Sequence, residues 1–215
     1  MNNRMIVYMI GRMLGVEGLL LLVPAFVSFL YGEQSGIAFL LTAAILLIIF
    51  LLAGRKKPKD TSIYGKEGLA LVGIAWILWS LFGALPFFIS GSIPDYLDAF
   101  FETVSGFTTT GSTILTDIEA LPQGMLFGRA LTHWIGGMGV LVFVMVLLSL
   151  DDDGSMYLMR AEVPGPEADK LVPKARSTAR ILYLMYLVLT MAEVIFLLFG
   201  GMNLYDALIP SFSTA

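Results

Sequence analysis

The chain has 215 residues, of which 57% are hydrophobic and only 14% charged, and its mean hydropathy is +0.83. An ordinary soluble domain carries roughly 25% charged residues, so this composition excludes one and implies a protein that crosses a membrane several times. With no cysteine there is no disulfide framework or thiolate metal site, a single histidine, His133, excludes a multi-histidine metal centre, and no basic, aromatic-interleaved patch suggests nucleic acid.

Met5 to Phe29 is apolar apart from Arg12 and Glu17 and exceeds the roughly 20 residues that a hydrocarbon core requires. It lacks a small-residue cleavage site, so it reads as a retained span and not a secretory signal. Gly11, Gly15 and Gly18 form a small-residue stripe suited to close helix packing. Arg12 is placed to snorkel. Glu17 lies deeper and reads as a carboxyl facing the protein interior, with an ion or proton site as the alternative. Tyr31 to Gly36 is a polar turn, and Ile37 to Ala53 is a second span, nearly all aliphatic and so lipid-facing over much of its surface. Arg55-Lys56-Lys57-Pro58-Lys59 ends it. Gly68 to Ser90 is a third span, with Trp76, Trp79 and Pro86, and Gly91-Ser92-Ile93-Pro94 breaks the chain after it.

Asp95 to Ser105 is too short and too polar to span, and predicts a re-entrant helix. The polar stretch Phe107–Thr113 follows as an expected strand, then a loop over Thr116–Gly124 carrying Asp117 and Glu119. Met125 to Leu150 is the fourth span, containing His133-Trp134-Ile135-Gly136-Gly137-Met138-Gly139. His133 reads as an interfacial hydrogen-bonding residue beside Trp134. Asp151-Asp152-Asp153 stops the span as a solvated loop, a divalent site being the alternative. Ser155 to Ala179 is a polar stretch, either a docking surface or a plain connector. Arg180 to Gly200 is the fifth span, in which Glu193 is an interior hydrogen-bonding group or a coupling-ion site, and Met202 to Ala215 closes the chain.

Lysine and arginine set the orientation. With the N-terminus cytoplasmic, all 13 basic residues except Arg129 fall on the inside. Asp95, Asp98, Glu102, Asp117, Glu119 and Asp206 then fall outside, where an acidic mouth would concentrate cations. Asp98 and Asp206 are alternatively helix caps. Phe107–Thr113 approaches from the outside. Non-helical backbone is tolerated at membrane depth only where protein buries it or it lines a water-filled cavity. A threonine row ending in glycine, which is free to take positive φ, presents carbonyl oxygens able to replace an ion's water shell. The stretch thus reads as an ion-selectivity filter. The glycines at 136, 137 and 139 each cost about 1 kcal/mol in a helix interior and are expected to pack closely against it.

A shift of 108 residues brings Asp98-Ala99-Phe100-Phe101 onto Asp206-Ala207-Leu208-Ile209. The expected organisation is an all-α membrane protein: an N-terminal transmembrane hairpin (1–60), a first pore repeat of span, re-entrant helix, filter and span (61–154), a cytoplasmic loop (155–179), and the start of a second repeat (180–215). That second copy stops before its filter, so the chain is expected to be the N-terminal part of a longer protein.

Phe-Thr-Thr-Thr-Gly-Ser followed by His-Trp-Ile-Gly-Gly-Met-Gly resembles the first pore repeat of the Trk/Ktr/HKT superfamily of potassium transporters, and the two spans before it resemble the Trk branch. The resemblance implies a four-repeat pore for potassium uptake in the prokaryotic cytoplasmic membrane, with a homodimer of membrane subunits and a cytosolic nucleotide-binding regulatory subunit of the Trk A type. It implies that the carbonyls of Thr109, Thr110, Gly111 and Ser112 bind potassium, supported by Thr108, Gly136, Gly137 and Gly139. No cofactor and no catalysis are expected, since no nucleophile–base pair or metal-ligand spacing is present. The alternative is an alternating-access transporter, but such folds usually carry inverted repeats, whereas this repeat is parallel.

Overall fold

The computed structural model describes residues 2–58, 65–139 and 175–214, with the backbone course alone for 65–67 and 175–179. The regular structure among these residues is helical. In chain order it comprises α1 (Asn3–Leu20), α2 (Leu22–Leu30), α3 (Ser35–Ile49), a π-helical turn (Phe50–Gly54), α4 (Gly65–Ile89), α5 (Tyr96–Phe107), α6 (Gln123–Gly137), α7 (Ala175–Phe199) and α8 (Leu204–Thr214). Among the described residues four stretches are long and apolar enough to cross a membrane: Asn3–Leu30, Ser35–Gly54, Gly68–Ile89 and Arg180–Phe199.

The first of these spans is α1 and α2 with a joint at Leu21. The joint follows from Pro24, which brings no N–H and so cannot continue the ladder at that turn. The hairpin α1–α3 closes where the sequence places small residues. A Cβ on Gly11 would meet the backbone nitrogen of Gly54 at 2.6 Å, one on Gly15 would meet the Phe50 ring, and one on Gly18 would meet Leu46 and Ala43. The π-helical turn thus lies directly on the glycine stripe, backbone against backbone. On α3, Ala38, Phe39, Thr42, Ala43 and Leu46 are buried, while Ile37, Leu41, Ile45 and Ile48 are exposed, as the aliphatic, lipid-facing reading anticipates.

Glu17 is 2% exposed and faces the interior. Neither carboxyl oxygen has a hydrogen-bond partner among the described residues. It lines a small, closed cavity with Trp79, Phe107, Gly128 and Thr132, so the hairpin, α4, α5 and α6 meet at this point.

Several boundaries differ from the sequence expectations. α5 runs to Phe107, two residues beyond Ser105, and no strand forms after it: residues 110–113 adopt no regular structure. α7 begins at Ala175, inside the expected loop. The remainder of the expected fourth span, the Asp151–Asp153 run and residues 155–174 lie outside the described residues. α8 starts 108 residues after α5, at Leu204 against Tyr96.

The packing of α1 on the π-helical turn predicts a contrast between two glycines. Gly11→Ala should lower the melting temperature of the detergent-purified protein, since overpacking costs about 1–3 kcal/mol. Gly73→Ala, where a Cβ meets nothing within 4 Å, should leave it unchanged or raise it. Equal melting temperatures for the two variants would mean that the hairpin does not depend on this contact.

Candidate functional site

α5 starts at a cap. The Asp95 side chain accepts from the amides of Leu97 and Asp98 at 2.8 and 3.2 Å. Asp98 therefore sits in the first turn, where its charge suits the helix dipole, and is not the cap itself. α8 repeats the arrangement: Asn203 accepts from the Asp206 amide at 2.8 Å, and Asn203 donates to the Asp206 carboxylate. Asn203 stands 108 residues after Asp95, so the caps align although the expected cap residues do not perform the capping.

The chain leaves α5 by folding its own amides back onto the helix end. Thr109 N–H donates to the Gly106 carbonyl at 2.9 Å, and the amides of Thr110 and Gly111 both donate to the Ser105 carbonyl, at 2.9 and 3.4 Å. In a trans peptide the N–H and C=O of one unit point in opposite directions, and no cis bond is present among the described residues. The carbonyls of Thr108, Thr109 and Thr110 therefore point away from α5. Thr109 has φ +56° and Gly111 φ +75°, whereas Thr108, Thr110 and Ser112 do not have positive φ. Alternation of handedness aligns successive peptide groups, N–H to one side and C=O to the other. Positive φ is costly for threonine and free for glycine. Residues 108–113 are exposed. The hydroxyls of Thr108 and Thr110 lie 2.8 Å apart, and Thr108 also donates to the Val104 carbonyl.

The Ser112 carbonyl behaves differently. It accepts from the Ser105 hydroxyl at 2.6 Å and so turns back towards α5. The outward-pointing carbonyls thus include those of Thr108, Thr109 and Thr110.

Glu102 fixes the far end of the segment. Its carboxylate is 1% exposed. One oxygen accepts from the Thr113 hydroxyl and from the Ile114 amide, the latter at 2.7 Å, and the other accepts from Arg129 Nε at 2.9 Å. Glu102 is therefore no part of an acidic outer mouth, and Arg129 is no solitary outer charge: the two neutralise each other beneath the segment. A buried charge persists only if paired and hydrogen-bonded. Asp98, Asp117, Glu119 and Asp206 remain exposed.

Behind the segment, α5 and α6 touch backbone to backbone. A Cβ on Gly136 would come within 2.0 Å of the Phe107 carbonyl oxygen, and one on Gly106 within 2.0 Å of the Thr132 hydroxyl. Gly136 thus packs as expected. Gly137 is exposed, and Gly139 lies beyond the end of α6 with φ +77°, its amide donating to the Gly136 carbonyl at 2.8 Å. His133 is buried, not interfacial, and its Nδ1 lies 3.1 Å from the Arg129 carbonyl. Trp134 stacks on Phe212 of α8 and donates to Thr190 of α7 at 3.2 Å. Glu193 accepts from Thr214 at the end of α8, at 2.6 Å.

The N-terminal end of α6 has Pro122 at its cap position, where no side chain caps the helix. Glu33, from the α2–α3 turn, does so instead, accepting from the amides of Gln123 and Gly124 at 2.6 and 3.0 Å. Tyr205 of α8 donates to the Gln123 carbonyl at 2.6 Å and meets the Tyr31 ring edge-on. The hairpin, α6 and α8 are joined there.

Truncating Glu102 leaves Arg129 buried without its counter-charge, a loss of about 3–5 kcal/mol for such pairs. Glu102→Gln, which retains an acceptor for Thr113 and Ile114 but no charge for Arg129, should lower the melting temperature of the purified protein, and Glu102→Ala should lower it further. A Glu102→Gln protein that melts with the unmutated one would show that charge pairing does not hold the segment. Ser105→Ala frees the Ser112 carbonyl and, as the loss of a single neutral hydrogen bond, should lower the melting temperature far less than Glu102→Ala.

A family model described as "TrkH: Cation transport protein" matches residues 36–214. The chain is 37% identical to the Trk system potassium uptake protein TrkH of Escherichia coli strain K12, over 100% of this chain and 45% of that protein. It is 33% identical to the Trk system potassium uptake protein TrkG of the same strain, over 98% and 44% respectively. The crystal structure of the potassium transporter TrkH from Vibrio parahaemolyticus superposes with a TM-score of 0.81 at 30% identity, covering 99% of this chain and 42% of that one. The chain therefore spans less than half the length of the curated relatives it matches. With the matched family model, the helical fold and the several membrane spans in agreement, this chain belongs to the TrkH cation transport protein family.

Proposed function

We propose that this chain supplies one filter strand of a potassium uptake pore, and that potassium meets the strand at the carbonyls of Thr108, Thr109 and Thr110, with Gly111 setting the turn of the backbone. The observation that carries the reading is the outward carbonyl row: three consecutive peptide groups whose N–H bonds are taken by the end of α5. Such oxygens replace the hydration shell of a monovalent cation. Ser112 then anchors the strand through Ser105 instead of ligating the ion. The names and structure of the similar proteins support potassium as the cargo. No bond is made or broken in this activity, so the protein is a transporter and not an enzyme.

A ring of carbonyls requires several strands. The aligned caps and starts of α5 and α8 support the division into a hairpin (1–60), a first pore repeat (61–154), a connecting loop (155–179) and the beginning of a second repeat (180–215). The remaining strands then come from later repeats of the same polypeptide. The sidedness of the basic residues supports a cytoplasmic N-terminus in the inner membrane. A homodimer, and a cytosolic nucleotide-binding regulatory subunit of the Trk A type, complete the reading by analogy with the Trk system. The membrane potential drives cation entry with about 2.3 kcal/mol per charge per 100 mV.

The test is rubidium uptake by cells that lack their own potassium uptake, comparing the 215-residue chain, the product of the complete reading frame, and that product carrying Gly111→Asp. Uptake is expected from the unmutated complete protein alone. Gly111→Asp should reduce it at least about tenfold, because aspartate at φ +75° is strained and brings a charge to the carbonyl row. Selective uptake that survives Gly111→Asp in a protein that reaches the membrane would refute the filter assignment. Uptake by the short chain alone would require the pore to assemble from separate chains.

A further inference from the structure

α6 presents two opposite faces to two helices. Arg129, Thr132 and Gly136 turn towards α5. Arg129 pairs with Glu102 at 2.9 Å, and a Cβ on Gly106 or Gly136 would fall within 2.0 Å of the Thr132 hydroxyl or the Phe107 carbonyl oxygen. Phe127 and Trp134 turn towards α8, where both meet the Phe212 ring, Trp134 stacked on it at 5.3 Å and Phe127 edge-on at 5.7 Å. At 3.6 residues per turn, the face of Phe127 and Trp134 lies about 180° round the helix from that of Arg129, Thr132 and Gly136.

The two faces differ in what sets their spacing. Towards α5 the closest approach is glycine on backbone, as small residues permit between membrane helices, and it can shrink no further. Towards α8 the spacing is the thickness of an aromatic layer. Other bonds hold that layer in place. Trp134 Nε1 donates to Thr190 of α7 at 3.2 Å, and the Tyr186 hydroxyl donates to the Trp134 carbonyl at 2.9 Å. The start of α8 is tied to the same helix by the Tyr205 hydroxyl on the Gln123 carbonyl at 2.6 Å.

We infer that α6 is the spacer between the two pore helices, and that Trp134 is a positioning residue for ion selectivity: through its stack on Phe212 it sets how far α8, and the strand that follows it, stands from the carbonyls of Thr108, Thr109 and Thr110. The inference rests on the filter reading of those carbonyls. A filter ringed by oxygens from separate strands presents an ion with the distance between strands, and ions of different radius respond unequally when that distance changes. Trp134 acts through Phe212 and not by touching the ion. The glycine contact at Phe107 passes any displacement of α6 directly to the residue before the carbonyl row.

The protein from the complete reading frame would be purified, reconstituted in proteoliposomes, and its initial rates of rubidium and sodium uptake compared with those of variants. Trp134→Ala should lower the rubidium-to-sodium ratio several-fold while uptake persists. Phe212→Ala should do the same, and the double variant should lower the ratio no further, because each change removes the same stack. Trp134→Phe keeps a ring against Phe212 and loses only the bond to Thr190, and should retain most of the unmutated ratio. Rubidium and sodium rates that fall in equal proportion in Trp134→Ala and Phe212→Ala would overturn the inference and leave the filter reading standing, as would a Trp134→Phe ratio as low as that of Trp134→Ala. If Trp134→Ala does not fold, an unchanged ratio in Phe212→Ala overturns the inference by itself. An unmutated protein with no preference for rubidium would refute the filter reading, and this inference with it.

Discussion

The ion pair of Glu102 and Arg129 determines where the carbonyl row can lie. Two opposite charges buried within the protein tolerate little displacement, since either one left alone is strongly destabilising. Because Glu102 also receives the Thr113 hydroxyl and the Ile114 amide, the requirement to keep the pair together becomes a requirement on the C-terminal end of the 108–114 segment. The N-terminal end is held by a different means, amides folded back on the last turn of α5. Between these fixed ends Thr109 and Gly111 adopt the left-handed region.

The glycine contacts show how the two anchoring helices are brought close enough for this. Gly136 and Gly106 remove the side chains that would otherwise separate α5 from α6, and Trp79 packs edge-on to Phe107 behind them at 5.6 Å. α6 is in turn positioned from the outside by Glu33 and Tyr205. The N-terminal hairpin is therefore part of the support for the site, although its residues lie far from the carbonyls in sequence.

Much of this was legible in the sequence, because the signals are local. Long apolar runs, the break at Gly91–Pro94, the polar segment with threonines and one glycine, and the small-residue stripe of α1 each follow from nearest neighbours. The pairings across helices were not. Glu102 looked like one of several solvated acids, since its partner lies on another element. Two signals pointed to the truth: Ala99, Glu102, Thr103 and Gly106 share a helix face, and Arg129 stood alone among the basic residues in lying on the outer side. Likewise, Pro122 opens α6 without a capping side chain, and that vacancy is what Glu33 fills. Sequence reasoning also gave α6 the glycine at 139, whereas a left-handed residue there ends the helix.

The folded-back amides of Thr109, Thr110 and Gly111 have a consequence for the timing of entropy loss. Ordering each residue costs of the order of 1–2 kcal/mol, and here the main chain is ordered by bonds internal to the protein, before any ion arrives. In the proposed filter role, capture of a cation would not have to organise its own ligands, and departure would not disorganise them. Pre-organisation of this kind usually strengthens binding. In a conduit it also removes the relaxation that would otherwise follow each ion, so that successive ions meet the same backbone, and throughput is set by how tightly the oxygens hold their cargo, not by how quickly the segment rebuilds itself.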